Sequence, residues 1–442
     1  MSSHGPFPPE IVQNIVYYLT HDLRLAPDRF HFRDVELYFD LIYRLQRGYW
    51  IEPHLLEERG SWSLVKDACN YATVNRIWQD AVEREIFSEL HLDRARLLEV
   101  NHILNRSPRR QCYLRTIRLY AKLPPYYEML RPRMDNTYRP EHAHELQATF
   151  EAFLSALSHW TSRPPIRLHI GAFTESPLRS FTRPQDFLPV GMEEPDRIMH
   201  IEPVEAVTDV DVTWKMQSRT EIPVSCAAVC SLLARLPATR NVSLIFRYSG
   251  IRDRDELAKR LEHITHDIDC FKIEGYGWPA WLQDMAERVD KLPQAIGQLS
   301  QRSKKIEIHD MCVGSEIFLP LNSNPKVLSV PHWARLEECI VIDHYDIIPE
   351  YLAAARAARE MPRLRNMLIR AHSTWRDDSR FHGLRYSRDT ESNTAKVIWA
   401  SNFGFVPGAE LVTEWQEVAW KHLGSKTLEI KISDRKSALE DI

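Results

Sequence analysis

The segment LPQAIGQLSQRSKKIEI (292–308) contains the pattern that decides the fold. Its first part, Leu292 to Leu299, has the composition and length of a short helix. Its last part, Lys305-Ile306-Glu307-Ile308, alternates polar and apolar residues, as in a strand with one buried face. The unit thus has one apolar helix face and one apolar strand face, and it needs neighbouring units to bury both.

The same helix-then-strand couplet recurs along the chain. Successive predicted strands are commonly about 25–35 residues apart, which is the range of helix–strand solenoid repeats. The other predicted couplets are 94–104 with 113–119, 141–160 with 166–170, 226–236 with 242–246, 256–264 with 270–273, 351–360 with 364–369, and 410–422 with 427–432. Further strands are predicted at 87–92, 336–342 and 396–400.

Strands joined by helical crossovers should lie parallel to one another. The sequence therefore predicts an α/β protein whose main part is an irregular β/α solenoid, resembling a degenerate leucine-rich-repeat horseshoe without the regular asparagine ladder. The alternative is a non-repeating α/β domain with a doubly wound sheet.

The N-terminal region has a different, purely helical pattern. Pro8 and Pro9 stand where a helix should begin, since the first helical N–H groups have no partner to lose. Apolar residues then follow at helical spacing from Ile11 to Leu19. A second apolar pattern at helical spacing covers Leu64 to Val82. Short helices of this kind need to pack together and onto a partner.

Two stretches of this region resemble the F-box family. Phe7-Pro8-Pro9-Glu10-Ile11 stands at the place of its Leu-Pro-x-Glu-Ile/Leu start, and Val74-Asn75-Arg76-Ile77-Trp78 matches its later tryptophan signature. Phe7 replaces the usual leucine, and about forty residues interrupt a motif that is normally compact. The alternative is an ordinary N-terminal amphipathic helix followed by an unrelated helical hairpin.

The resemblance implies a domain organisation and a partner. Residues 1–86 would form a three-helix F-box-like domain with an insertion at 20–62, and residues 87–442 a β/α repeat domain that recognises a substrate, with long loops at 120–140 and 174–223. The F-box would bind the Skp adaptor, which connects to a cullin complex. The residues implied in adaptor binding are Phe7, Pro8, Glu10, Ile11, Ile15, Leu19, Val74 and Trp78.

Composition excludes several other classes. The 442 residues carry a net charge of −4, whereas nucleic-acid binding usually requires a strongly basic face. No apolar run approaches the roughly 18 residues that a membrane span needs. The first residues lack the basic start and apolar core of a signal peptide. Seven cysteines, with only Cys226 and Cys230 close together, predict a reduced cytoplasmic or nuclear compartment.

No specific catalytic, cofactor or metal motif is present in the sequence. Asp209-Val210-Asp211 is compatible with metal binding but is better explained as the polar side of an alternating strand. Polar residues follow several predicted strands, where sites form in parallel α/β architectures. These are Glu274, His309, Asp310, Asp343, His344 and His372. We therefore expect no cofactor and no catalytic residues.

Three functions remain open from the sequence. The first, implied by the F-box resemblance, is a substrate receptor of an SCF-type ubiquitin ligase that binds an unidentified target protein. The second is a scaffold that binds the adaptor without leading to degradation. The third is an α/β enzyme that uses strand-end carboxylates and histidines around Asp343 and His344.

Overall fold

A computed structural model of the chain describes the residues from Arg76 onward, with internal gaps. The described ranges are 76–124, 140–160, 164–174, 190–212, 221–247, 251–276, 290–311, 317–318, 333–343, 348–372, 381–402, 404, 406–424, 428–434 and 436–439. Of the residues implied in adaptor binding, only Trp78 belongs to them. Phe7, Pro8, Glu10, Ile11, Ile15, Leu19 and Val74 lie outside the described residues, as does the 20–62 insertion.

Helices and strands alternate through most of the described chain. The helices are α1 (Arg76–Ile86), α2 (Arg94–Asn105), α3 (Pro108–Tyr113), α4 (Pro140–Ser158), α5 (Cys226–Leu233), α6 (Ile251–Glu262), α7 (Leu292–Ser300), α8 (Ile348–Ala358) and α9 (Ala409–Leu423). The strands are β1 (Glu89–Leu92), β2 (Thr116–Leu123), β3 (Ile166–Thr174), β4 (Val207–Val212), β5 (Glu221–Ile222), β6 (Asn241–Arg247), β7 (Cys270–Tyr276), β8 (Lys305–His309), β9 (Glu338–Asp343), β10 (Asn366–His372), β11 (Phe381–Asp389), β12 (Thr394–Ser401) and β13 (Leu428–Ser433). Short 3₁₀ helices cover Pro195–His200 and Lys436–Leu439.

The chain forms two compact units, of which the smaller comprises Met1–Tyr120 and His159–Leu168. In it β1 and β2 pair in parallel, with His91 opposite Arg118. Helix α1, which carries Trp78, buries Ala81 and Val82. Its Glu83 is joined to Arg110 of α3 at 2.6 Å. Helix α1 therefore has a buried apolar side and is joined to α3 by an ion pair.

The larger unit comprises Ala121–Ser158 and His169–Ile442, and its strands follow one another in chain order. From β6 to β13 every strand pairs with the next one along the chain, and β4 precedes β6. All pairs from β4 to β10 are parallel. Successive strands are thus always added on the same side of the sheet, whereas in a doubly wound sheet the strand order reverses at one point. The larger unit is thus a solenoid-like α/β sheet.

One face of this sheet is fully buried and the other is not. In β7, β8 and β9 residues alternate between buried and partly exposed. Phe271, Ile306 and Val341 are 0–1% exposed. Consecutive helices contact each other, α5 with α6, α6 with α7, and α8 with α9. The predicted apolar helix and strand faces therefore meet in one core, as the couplet pattern required.

The structure differs from the predicted all-parallel arrangement near the C-terminus. Strand β11 is antiparallel to both β10 and β12, with Ile369 opposite Leu384. Strand β11 has no predicted counterpart. Within 174–223 the described residues include β4, β5 and the 3₁₀ helix Pro195–His200. Val207 and Val210 of β4 are buried, so the chain re-enters the core there.

His422 of α9 connects three elements through hydrogen bonds. The Tyr386 hydroxyl of β11 donates to its Nδ1 at 2.9 Å, and its Nε2 lies 3.1 Å from the Ala358 carbonyl of α8. These two bonds fit the neutral imidazole with the proton on Nε2, because the carbonyl can only accept. Burial lowers the pKa of His422 to about 4 from its ordinary 6.5.

We expect this histidine to make unfolding easier as the pH falls from about 6.5 to about 4. In that window the unfolded chain binds a proton that folded His422 excludes, so the free energy of unfolding falls, by up to roughly 3 kcal/mol at the lower end. Urea unfolding measured across this range tests it. His422→Asn should reduce the slope of the free energy of unfolding against pH by the equivalent of about one proton. The same change at exposed His144 should leave this slope unchanged. An unchanged slope in His422→Asn would contradict the assignment.

Candidate functional site

Strands β4 to β10, which the repeated couplets build together, share one partly exposed face, and we call it the open face. Cross-strand register arranges its side chains in three rows. The first row is Asp209, Asn241, Cys270, Lys305, Glu338 and Asn366. The second is Asp211, Ser243, Lys272, Glu307, Ile340 and Leu368. The third is Ile245, Glu274, His309, Ile342 and Arg370.

Charged side chains in the middle of the open face are joined across the strands. Lys305 Nζ lies 2.8 Å from Glu307 and 3.0 Å from Glu338, so one ammonium connects β8 to β9. The hydrogen bond to Glu307 is the main reason that the pKa of Lys305 is raised. Lys272 lies 3.5 Å from Glu274 on β7. These contacts hold alternating charges at fixed positions on a partly dehydrated surface.

His309 lies at the end of β8, directly opposite Glu274 of β7. Burial and the neighbouring Lys272 lower its pKa, so its imidazole is neutral near pH 7. Its Nε2 is 3.9 Å from Glu307, too far for a hydrogen bond. Nε2 has no hydrogen-bond partner in the described chain. This ring nitrogen is buried, so it is not accessible to a group that arrives from outside.

Apolar side chains lie beside these charges on the open face. Ile340 and Ile342 of β9 and Leu368 of β10 occupy positions that alternate with core residues, and all three are partly exposed. Ile245 of β6 has the same partial exposure. A surface that combines aliphatic side chains with ordered charges is suited to a protein partner.

The polar strand-end residues predicted from the sequence do not form one cluster. Glu274 and His309 face each other in register. Ile342, not Asp343, is opposite His309, and Asp343 is paired in register with Ala371 of β10. Asp310 has a left-handed φ of 54° and donates its N–H to the Ile342 carbonyl at 2.7 Å. His372 pairs in register with Phe381 of β11, and His344 lies outside the described residues.

The two aspartates of β4 are on the polar side of a strand, as predicted. Asn241 Nδ2 donates to Asp209 at 2.7 Å, and His169 Nδ1 lies 3.2 Å from Asp211. Both carboxylates therefore have protein partners. Among the described residues no group of three His, Cys, Asp or Glu side chains is placed to hold a metal ion.

Sequence reasoning did not single out the charges at the centre of the open face. Lys272, Lys305, Glu307 and Glu338 belong to no motif. The signal that could have identified them is the strand alternation itself, because every second residue of a predicted strand must lie on the face opposite the core. Applying that rule to all of the predicted parallel strands would have outlined the surface.

The open face ends where the 3₁₀ helix Lys436–Leu439 covers the next two strands. Leu439 is fully buried against Phe381, Ile398 and Ala400. Arg385 of β11 donates from Nη1 to the Leu439 carbonyl at 2.7 Å. Beyond β10 this side of the sheet is thus protein core, which confines a ligand to β4 through β10.

The structure also places the two neighbouring cysteines and three of the C-terminal tryptophans. Cys226 and Cys230 are both buried in α5, and burial raises the pKa of each thiol. Trp399 and Trp415 are core residues, whereas Trp420 is 52% exposed. No helix in the described part of the chain is both long and apolar enough to cross a bilayer.

A protein-family model matches the C-terminal end of the chain. Residues 350–441, which include α8, β10 to β13 and α9, match a family of unknown function, DUF6546. No curated protein matches the chain. The matched segment thus contains the antiparallel end of the sheet and, of the open face, its last strand β10.

Proposed function

We propose that the protein is the substrate receptor of an SCF-type ubiquitin ligase. In this proposal the Skp adaptor of the cullin complex binds the N-terminal F-box-like unit, and a target protein binds the open face of a degenerate leucine-rich-repeat-like domain. The adaptor contact would be made by Phe7, Pro8, Glu10, Ile11, Ile15, Leu19, Val74 and Trp78. The observation that carries the proposal is the pairing of the two F-box-like stretches with a solenoid-like sheet that leaves one face open.

The open face has features of a protein-binding surface. Lys305 and its two glutamates are held in place before a partner arrives, so little side-chain entropy remains to be lost on binding. Ile340, Ile342 and Leu368 offer apolar contact next to them. Tethering a target here would raise the effective concentration of its lysines near the ubiquitin-carrying enzyme, without any bond-making residue in this chain.

The adaptor contact is tested by Ile11→Asp. We expect this variant to lose co-purification of the adaptor, because a carboxylate would have to be buried in an apolar contact. The control is Leu98→Asp, since Leu98 is 71% exposed on α2 and an added charge there faces water. If a folded Ile11→Asp protein retained the adaptor as well as Leu98→Asp does, the proposed docking surface would be wrong.

The target contact is tested by reversing one charge of the open face. Lys272→Glu should reduce target co-purification at least severalfold, because like charges placed against a complementary surface are costly. Lys421→Glu is the matched control: Lys421 has an ion pair of its own, with Glu360, and lies on α9 outside the open face. Both variants should retain the adaptor. Equal target recovery from the two variants would exclude the centre of the open face as the binding surface.

Degradation separates a receptor from a scaffold. For a receptor, the half-life of the co-purified target should lengthen when Ile11→Asp replaces the wild type. For an adaptor-binding scaffold, the target would still co-purify with the wild type and its half-life would be the same with either protein.

A further inference from the structure

The last strand of the sheet, β13, exposes both of its faces. Among the described strands of the larger unit β13 has β12 as its neighbour and terminates the sheet. All six of its residues, Leu428 to Ser433, are partly or fully exposed. Ile430 is 37% and Ile432 is 54% exposed, although both are paired in register with core positions of β12. An edge strand of this kind offers backbone groups to a further strand.

The two sides of β13 differ in chemistry. Glu429 and Lys431 lie on one side, where Glu429 is 3.1 Å from Lys396 of β12. Leu428, Ile430 and Ile432 lie on the other side, next in register to Ala395, Val397 and Trp399. Helix α9, which contacts β13, exposes Trp420. The apolar side of the edge is therefore incompletely covered by the helix beside it.

We propose that β13 pairs antiparallel with β13 of a second copy of this chain, about a two-fold axis through Ile430. In that register Glu429 of each copy lies opposite Lys431 of the other. Leu428 lies opposite Ile432 on the apolar side, and Ile430 meets its own counterpart. The interface is isologous, so each contact occurs twice. This inference concerns a different edge from the open face and does not rest on the proposed function.

Charge complementarity selects this register over its neighbours. A two-fold axis perpendicular to the sheet keeps each side of one copy next to the same side of the other, so the register can shift only in steps that preserve the alternation. An axis through Glu429 would place two glutamates face to face, and one through Lys431 would place two lysines face to face. Directly opposed like charges are unfavourable, whereas opposed unlike charges stabilise a strand pair. The axis through Ile430 is the one that satisfies both charges.

The test measures the mass of the full chain by light scattering over a range of concentrations. We expect a concentration-dependent dimer for the wild type. Lys431→Glu and Glu429→Lys should each weaken the dimer about tenfold or more, because both cross-strand pairs become repulsive. Mixing the two variants should restore association as a heterodimer, since one copy then carries two lysines and the other two glutamates. Equal thermal unfolding temperatures serve as the folding control.

Each contrary result overturns the proposal. A wild-type protein that remains monomeric at about 100 µM has no such interface of useful strength. A dimer that survives both charge changes uses another surface, and Trp420→Lys would show whether that surface is α9. Failure of the two variants to associate with each other, while each remains folded, would exclude the Ile430-centred register.

Discussion

Replacing Arg254 with methionine is expected to lower the free energy of unfolding by about 3–5 kcal/mol. Arg254 is fully buried on α6, and its guanidinium makes an ion pair with Asp290, which is also buried. Its Nε donates to Asp290 Oδ2 at 2.9 Å, and its Nη1 donates to the Met311 carbonyl at 2.7 Å. Methionine fills similar space but leaves a carboxylate and a carbonyl without these donors in an interior that water does not reach.

The importance of this pair follows from the elements that it connects. Asp290 Oδ1 also accepts a hydrogen bond from the Leu292 N–H at 3.0 Å, at the first residue of α7. One carboxylate therefore joins α6 to the start of α7, and the arginine joins both to the chain that follows β8. Loss of the arginine should weaken this junction while leaving the exposed surface unchanged.

Two controls separate the buried charge from the loss of packing. The double variant Arg254→Met with Asp290→Asn should recover a substantial part of the stability, since no buried charge remains and asparagine can still accept from Leu292. Lys421→Met removes an exposed ion pair with Glu360 and should cost less than about 1 kcal/mol. Urea unfolding of all three variants gives the comparison. Equal losses for Arg254→Met and Lys421→Met would contradict the argument.

Gly297→Val is expected to be similarly damaging, at about 3 kcal/mol, because it overfills a closed space. Gly297 lies within α7, where a side chain would ordinarily improve helix stability over glycine by up to about 1 kcal/mol. A Cβ at this position would, however, lie 2.7 Å from the Ile317 carbonyl oxygen. That atom belongs to the backbone and cannot rotate away, so the chain around Ile317 must move.

The direction of the change in stability distinguishes this prediction from one based on helix propensity. Gly297→Ala should also destabilise, although propensity alone predicts a gain. The control is Gly191→Val, where an added Cβ would meet no atom within 4 Å. Thermal or urea unfolding of the three variants tests the argument. Stabilisation by Gly297→Ala would show that the Ile317 segment adjusts without cost.

Much of the secondary structure is encoded locally, and the sequence predicted it well. The couplet at 292–308 is observed as α7 (Leu292–Ser300) and β8 (Lys305–His309). The predicted strand at 270–273 is confirmed as β7, and the helix at 410–422 as α9. Each has a strong period of its own and a clear breaker beside it, so no distant contact was needed to identify it.

Strand β11 could not be predicted, because its pattern depends on residues far along the chain. Phe381 to Tyr386 are all buried, so both faces of the strand are interior and no alternation is left to detect. Arg385 is accommodated by the Leu439 carbonyl, 54 residues away. At Gly383 a Cβ would come within 2.5 Å of Leu439 Cδ1. Only the folded position of Leu439 explains an arginine and a glycine in this strand.

The sequence identified some residues of the candidate site but did not predict how these residues are arranged on the sheet. His309 lies at the end of its strand, whereas Glu274 lies inside β7, which continues to Tyr276. The sequence also grouped Asp343 with them, but the residue opposite His309 is Ile342. Strand ends can be located from local patterns to within a residue or two, whereas the face on which a terminal residue lies changes with every residue. A one-residue uncertainty is therefore enough to misassign a site.

Because the strands of the sheet largely follow the order of the chain, the number of helix–strand units can change during evolution. From β7 to β10 each strand is hydrogen-bonded to the strands that precede and follow it in the chain. A tandem gene duplication of one helix–strand segment would therefore add one strand to the sheet without changing the order of the others. The antiparallel strands β10 to β12, two of which are covered by the 3₁₀ helix, follow this series in the sheet. Homologues of different length are expected to have gained or lost helix–strand units before β10. Such changes would enlarge or reduce the open face and leave the strands after β10 unchanged.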